Sequence, residues 1–376
     1  AALAIAEPGA CGHGPLELLF TIEEETTMKG ARYLGFEGLR SRVAINLDSE
    51  ESGVLCVGCA GGGEELLQLE LEHRPPHRAP GGDVALEIVV EGLRGGHSGI
   101  DIAGHRANAL KLLARTLWGL RADLAYALEA LEGGTVDNAI PCRASARILF
   151  GAADHDDCVQ ALRRAEAEFR REFGAHEPGL ALSFTKAEAP ERVLSTSCRD
   201  RLLRVLLALP HGLAELCPDF PGVVETSVNL ATARTSELDA EITVSARSSV
   251  AEALAALRTQ VRAVGELAGA LVRSSEPYPG WRPKASSPVL ELARAAWRAV
   301  GGSEPKVNVI HAGLECGFLL GKLPELDIIA IGPTILGAHT PSERVQVGEV
   351  ATFFAFLARL LGAIAQVAAA SPPLPK

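Results

Sequence analysis

Hydrophobic and polar positions follow two different rhythms along this chain of 376 residues. Residues 16–22 (LELLFTI) form a short apolar run with no helical period, between Pro15 and an acidic cluster, and predict a buried parallel strand. A helical pattern over 29–39 follows, then a second apolar run at 43–47 that ends in Asp48. Strand, helix and strand in that order describe an open α/β sheet, with functional side chains gathered at the C-terminal ends of its strands. From about Gly63 the rhythm changes. Alternation at 83–93, 126–134 and 144–151 predicts half-buried strands, and amphipathic patterns predict helices over 106–120, 156–173 and 250–267. The β-α-β-β-α-β order is that of a two-layer α+β sandwich. After Trp281 the first rhythm returns, with a helix over 288–300, strands at 307–310 and 327–332, and a terminal helix over 350–370. The expected fold class is therefore α/β: an α/β/α domain in two parts, 1–63 and 279–376, interrupted by an α+β domain over 64–278. Pro- and Gly-rich breaks at 75–82 and 276–288 suit the crossings.

Composition narrows the class. With 47% hydrophobic and 22% charged residues the chain has the balance of a soluble globular protein. Its formal net charge of -11 argues against nucleic acid and anionic membrane surfaces as partners. The eight cysteines have no framework spacing. Cys56 and Cys59 form a C-x-x-C pair, but no second pair follows and the run around them is apolar, so both are expected to be buried thiols. Free thiols and the absence of a signal peptide point to the cytoplasm. Arg359 and Gln366 interrupt the apolar stretch at 350–370, which predicts a buried terminal helix rather than a membrane span. The chain opens without Met, and its one Met is Met28, which gives the expectation of a fragment.

Three acidic or histidine-bearing clusters follow apolar strands: IEEETTMKG (22–30), INLDSEESG (45–53) and IGPTILGAHTPSERV (331–345). Each alone reads as a solvated loop or a helix N-terminus that favours carboxylates. Together they offer Glu, Asp and His with no thiolate, a donor set that suits zinc, manganese or cobalt in a hydrolytic site. Adjacent glutamates can serve there as ligand and general base.

Seven blocks in order, LLFTIEEETTMKGA, INLDSEE…CVGCAGG, LRGGHSGIDI, GGTVDNAIP, EPYPGWRP, HAGLECG and IGPTILGAHTPSERV, resemble the signature blocks of aminoacyl-histidine (Xaa-His, β-Ala-His) dipeptidases. These belong to the zinc aminoacylase and carboxypeptidase family of dimetal peptidases. The resemblance implies a zinc-peptidase-like catalytic domain interrupted by a lid and dimerisation domain, two divalent metal ions, a dipeptide substrate and a homodimer. Residue by residue, it implies Glu24 as general base, Glu25 and His339 as ligands of one metal, and Asp48 as ligand of the other. It further implies His97 as a donor to the scissile carbonyl's oxyanion across the dimer, worth about 3 kcal/mol in such sites. Asn138 and Arg247 become substrate clamps, Arg247 for the terminal carboxylate, and His311 and Glu315 order the substrate.

The family also carries an H-x-D motif and a bridging Asp upstream of the glutamate pair. Here only His13 precedes Glu24, and no Asp precedes Asp48. The expectation is a catalytic domain without its first segment, weak metal binding, and low or no activity for the chain as numbered. An aminoacylase or carboxypeptidase-type relative, or a non-catalytic dimerising remnant, stand as the alternatives.

Overall fold

The computed structural model describes residues 1–370 apart from Thr26, Thr27, Phe36, Glu37 and His339. The chain divides into two compact units: 1–61, 218–223 and 278–376 form unit 1, and 62–217 with 224–277 form unit 2.

Unit 1 is built on four strands in the order Val43–Asn46, Asp327–Ala330, Val54–Cys59, Lys306–Ile310. The first two run parallel, as do the last two, but Asp327–Ala330 meets Val54–Cys59 antiparallel. The expected parallel sheet is therefore mixed. Asp48 and the 331–338 loop leave one edge, whereas His311 leaves the other. Helix Pro288–Gly301 packs on this sheet; Ser287 caps its start, Pro288 occupies its first turn, and Gly302 closes it at φ 70°. Val289 N–H donates to Asp327 Oδ2 at 2.9 Å, which ties that helix to the strand beneath. Leu55, Ile329, Leu290, Trp297, Phe356 and Leu360 meet in the core, with Trp297 edge-on to Phe356 at 5.3 Å.

Three local expectations are corrected. Residues 16–22 form no strand: among the described residues no strand pairs with them, and Phe20 and Ile22 are 63% and 69% exposed. An apolar run becomes a buried strand only where a neighbour takes its backbone groups. The helix expected over 29–39 ends at Tyr33. The terminal helix Val347–Ala370 buries Phe353, Phe356, Leu357 and Leu360, but only 22% of its most apolar window lies inside the protein. By length and composition it is apolar enough to cross a bilayer.

Unit 2 is a nine-stranded sheet. Its main path runs Leu271–Ser274, Gly61–Glu70, Asp239–Ser248, Val224–Thr235, Tyr126–Gly133, Ala144–Gly151, Asp83–Glu91, Ala181–Lys186, and Gly212–Leu216 adds to Val224–Thr235. Helices Ala109–Leu120, His155–Phe173, Thr196–Ala208 and Ala251–Leu267 bury their apolar stripes in one core with the sheet. Leu110, Leu113 and Leu117 of the first helix, spaced three and four apart, are fully buried against Ile88, Leu128 and Ile148 of the strands. The Pro/Gly segment 75–82 lies within unit 2, between its strands His73–Arg74 and Asp83–Glu91, and does not mark a crossing.

Candidate functional site

In unit 1 the acidic turn is held by its own backbone. Met28 N–H donates to Glu23 O at 2.8 Å and Gly30 N–H to Ile22 O at 3.1 Å. Glu23 and Met28 sit in the left-handed region, at φ 55° and 49°, a conformation that costs a side chain about 1–2 kcal/mol. A Cβ on Gly30 would stand 2.4 Å from Ile22 N, so only glycine lets the chain fold back this closely. The turn leaves Glu24 half-buried and Glu25 exposed, with Lys29 3.2 Å from Glu23.

The loop after strand Lys306–Ile310 reaches this turn. Thr21 Oγ1 donates to Glu315 Oε2 at 2.9 Å, and a Cβ on Gly313 would lie 3.1 Å from the terminal carbon of Met28. The other Glu315 oxygen is buried without a hydrogen-bond partner among the described residues. His311 is buried, in a bulge where Ala60 N–H is shared between Ile310 O and Ala312 O. Asp48 lies exposed just past its strand, its N–H donating to Asn46 Oδ1 at 2.9 Å. Its carboxylate is near enough to act on Cys316, whose thiol is pushed well above its ordinary value, first by burial and then by Cys59, Cys56 and Asp48. Cys59 is likewise pushed up to about 12, mainly by burial. These cysteines are buried thiols, neither nucleophiles nor ready metal ligands.

In unit 1 the 312–316 loop thus meets the acidic turn through Thr21 and Met28, and Asp48 acts on its Cys316. His339 lies outside the described residues. Carboxylates with an imidazole are suitable zinc donors, yet among the described residues no three His, Cys, Asp or Glu side chains converge as an ion would need. The described residues alone therefore do not make a closed metal centre. A concavity lined by Trp281, Arg282, Lys284 and Asp327 lies elsewhere in unit 1 and includes none of the candidate residues.

In unit 2 the backbone brings His97 and Asn138 side by side. Ser98 N–H donates to Asn138 O at 2.8 Å, Ile140 N–H to Gly96 O at 2.9 Å, and His97 bridges Ala139. His97 Nδ1 accepts from Gly99 N–H at 3.2 Å and Ile100 N–H at 3.1 Å. The neutral ring must then carry its proton on Nε2. Capping its own turn and presenting a donor are one arrangement here. Asp101 Oδ2 accepts from His97 N–H at 2.9 Å, and Asp101 pairs with Arg106 at 3.3 Å.

Arg247, on strand Asp239–Ser248 opposite Ser227, acts on a carboxyl pair missed in the sequence, Glu64 and Asp137. Their mutual hydrogen bond pushes Glu64 up to about 7, with burial second, and holds Asp137 below its ordinary value. Asp137 O accepts from Ser245 Oγ at 3.0 Å, which sets the residue before Asn138. Nothing in the sequence flags this pair, since Glu64 lies on strand Gly61–Glu70 and Asp137 in a turn far along the chain.

The class of protein, a peptide hydrolase, is shown by likeness to known proteins. The description Peptidase family M20/M25/M40 matches residues 1–363, and the chain belongs to that family. It is 37% identical over 361 residues to the cytosol non-specific dipeptidase of Escherichia coli (strain K12), covering 96% of this chain and 74% of that protein. The crystal structure of aminoacylhistidine dipeptidase from Vibrio alginolyticus superposes with a TM-score of 0.89 at 32% identity, covering 96% of this chain and 73% of that one. Members of the family depend on divalent metal, zinc or a similar ion.

Proposed function

We propose that this chain is a dipeptidase of broad range that includes Xaa-His and β-Ala-His substrates, working in the cytoplasm as a homodimer through unit 2. What supports this most is the contact of the Glu24–Glu25 turn with the 312–316 loop, through Thr21 on Glu315 and Met28 beside Gly313, with Asp48 acting on Cys316 of the same loop. The names of the two relatives, a cytosolic dipeptidase and an aminoacylhistidine dipeptidase, point the same way.

In this reading Glu24 accepts the proton of the attacking water and passes it to the leaving amine. Glu25, Asp48 and His339 are the proposed donors to two divalent ions, zinc first, with manganese or cobalt as alternatives. Bound by these residues, such an ion would supply polarisation of the attacking water. His97 donates Nε2–H to the oxyanion, Arg247 holds the substrate's terminal carboxylate with Asn138 as a second clamp, and His311 and Glu315 order the remainder.

Turnover of unblocked dipeptides, acyl amino acids and longer peptides, with zinc, manganese or cobalt added, tests the reading. Dipeptides should be preferred, and Glu24→Gln should lower turnover by a factor of about 10²–10⁴ with metal content unchanged. Preference for acyl amino acids, or an unchanged rate in the variant, would overturn it. The absence of three converging donors among the described residues favours one second reading, a dimerising module without catalysis. That reading requires a metal content of zero by elemental analysis even with zinc in excess.

A further inference from the structure

The loop that carries His97 begins after strand Asp83–Glu91 and ends at helix Ala109–Leu120. A segment of this length without regular structure has many conformations to lose, and closing its ends costs entropy that grows with its length. Both ends are met by one side chain. Glu177 Oε2 accepts from Arg94 N–H at 2.7 Å, and Glu177 Oε1 accepts from Ala107 N–H at 3.1 Å. Glu177 is 0% exposed. Burying a carboxylate is costly unless charge-assisted hydrogen bonds replace its water, and both oxygens here receive one.

The surroundings hold Glu177 to this task. It follows helix His155–Phe173, its N–H donating to Phe173 O at 2.8 Å while Leu180 N–H donates to its carbonyl at 3.1 Å. Gly92 and Gly179 touch backbone to backbone just beside it. A Cβ on Gly92, at φ 74°, would stand 2.0 Å from Gly179 O, and one on Gly179 would stand 2.6 Å from Gly92 O. Next to the clasp, His105 of the loop stacks on His176, the neighbour of Glu177, with ring centres 5.2 Å apart. Within the loop, Asp101 holds His97 N–H and the Gly99 and Ile100 amides hold Nδ1.

We infer that Glu177 is a positioning residue: it clasps the two ends of the 94–107 loop so that the turn within it presents His97 with its proton on Nε2. The consequence for catalysis rests on the reading of His97 as a donor to substrate, but the clasp itself can be tested without turnover.

The measurement is the ¹⁵N resonance pattern of the His97 ring, assigned by its loss in His97→Gln, together with amide exchange over 94–107. In the unaltered protein the pattern should be that of the Nε2–H tautomer, and the Arg94 and Ala107 amides should be protected. Glu177→Gln keeps the size of the side chain but turns an NH₂ toward one of the two amides. It should mix the tautomers and speed exchange across 94–107 by about tenfold or more, with strand Ala144–Gly151 still protected. Should Glu177→Gln fail to fold, Glu177→Asp, too short to reach both ends, is read in the same way. An unchanged ring pattern in a folded variant overturns the inference, as does rapid exchange of Arg94 and Ala107 in the unaltered protein. A separate assay of His97→Ala turnover tests the catalytic reading, so the two can fail independently.

Discussion

Replacing Arg258 by alanine should destabilise unit 2 by about 3 kcal/mol. Arg258 Nε donates to Glu65 Oε1 at 2.6 Å, and its Nη2 donates to Ser275 O at 2.7 Å and Glu64 O at 3.2 Å. Glu65 is 1% exposed and Arg258 5%. Removing one member of a buried pair costs about 3–5 kcal/mol, because the other is left charged and unhydrated. Here the lower end applies: Glu65 keeps Ser274 Oγ and a more distant Arg262 at 3.5 Å, and Glu64 O keeps Ser275 N–H, so Ser275 O is the acceptor that loses its partner. The double variant Glu65→Leu/Arg258→Met removes both charges and should fall within about 1 kcal/mol of the parent. Exchange of the most protected amides of Gly61–Glu70 and Ala251–Leu267 measures the free energy in each variant. A loss below about 1 kcal/mol in Arg258→Ala, or a double variant as unstable as the single, would refute the argument.

Glu64 gives a pH dependence whose sign follows from its raised value. Between its ordinary 4.5 and about 7 the folded state keeps a proton that the unfolded chain has released, so this contribution is full in acid and fades as pH rises through about 7. Asp137 acts oppositely, but its contribution is lost only in acid, as pH falls through its lowered value. Thermal melts from pH 5 to 8 should show unit 2 losing about 1 kcal/mol, modest because the pair is half-exposed, and Glu64→Gln should flatten the slope. At the other site, a Cβ on Gly332 would stand 1.5 Å from Ser49 O. Gly332→Ala should therefore part the Asp48 loop from 331–338, lower stability by about 1–3 kcal/mol and weaken zinc uptake; calorimetry with and without zinc checks both.

Unit 2 was the more legible part of the molecule in its sequence. Alternation at 83–93 and 144–151 matches strands whose one face meets the core, and the helical stripe of Leu110, Leu113 and Leu117 has one partner surface. Unit 1 was less so, since a strand buried on both faces shows the same apolar run in either direction. The opposed direction of Val54–Cys59 and Asp327–Ala330 therefore left no local trace. Residues 16–22 show the converse: the apolar pattern is present, and among the described residues no strand pairs with it. At the sites, residue types were readable and company was not. His97 stood out in its glycine turn, but its union with Asn138 depends on backbone bonds across forty residues, and Glu64 meets Asp137 only once the sheet of unit 2 has formed.

The division of the chain also sets an order of events during synthesis. Unit 1 draws on both ends of the chain and on 218–223, whose Phe220 and Val223 pack into its core. Unit 2 needs only the stretch between, and by about residue 277 all of it has been made. At about 5–20 residues per second, the first 61 residues wait roughly 10–40 s for their partners to be translated. During that time Leu55, Cys56 and Val57 lie open to water beside a newly folding neighbour. A chaperone that shields short apolar segments on the ribosome should therefore raise the yield of folded protein, with its effect confined to unit 1.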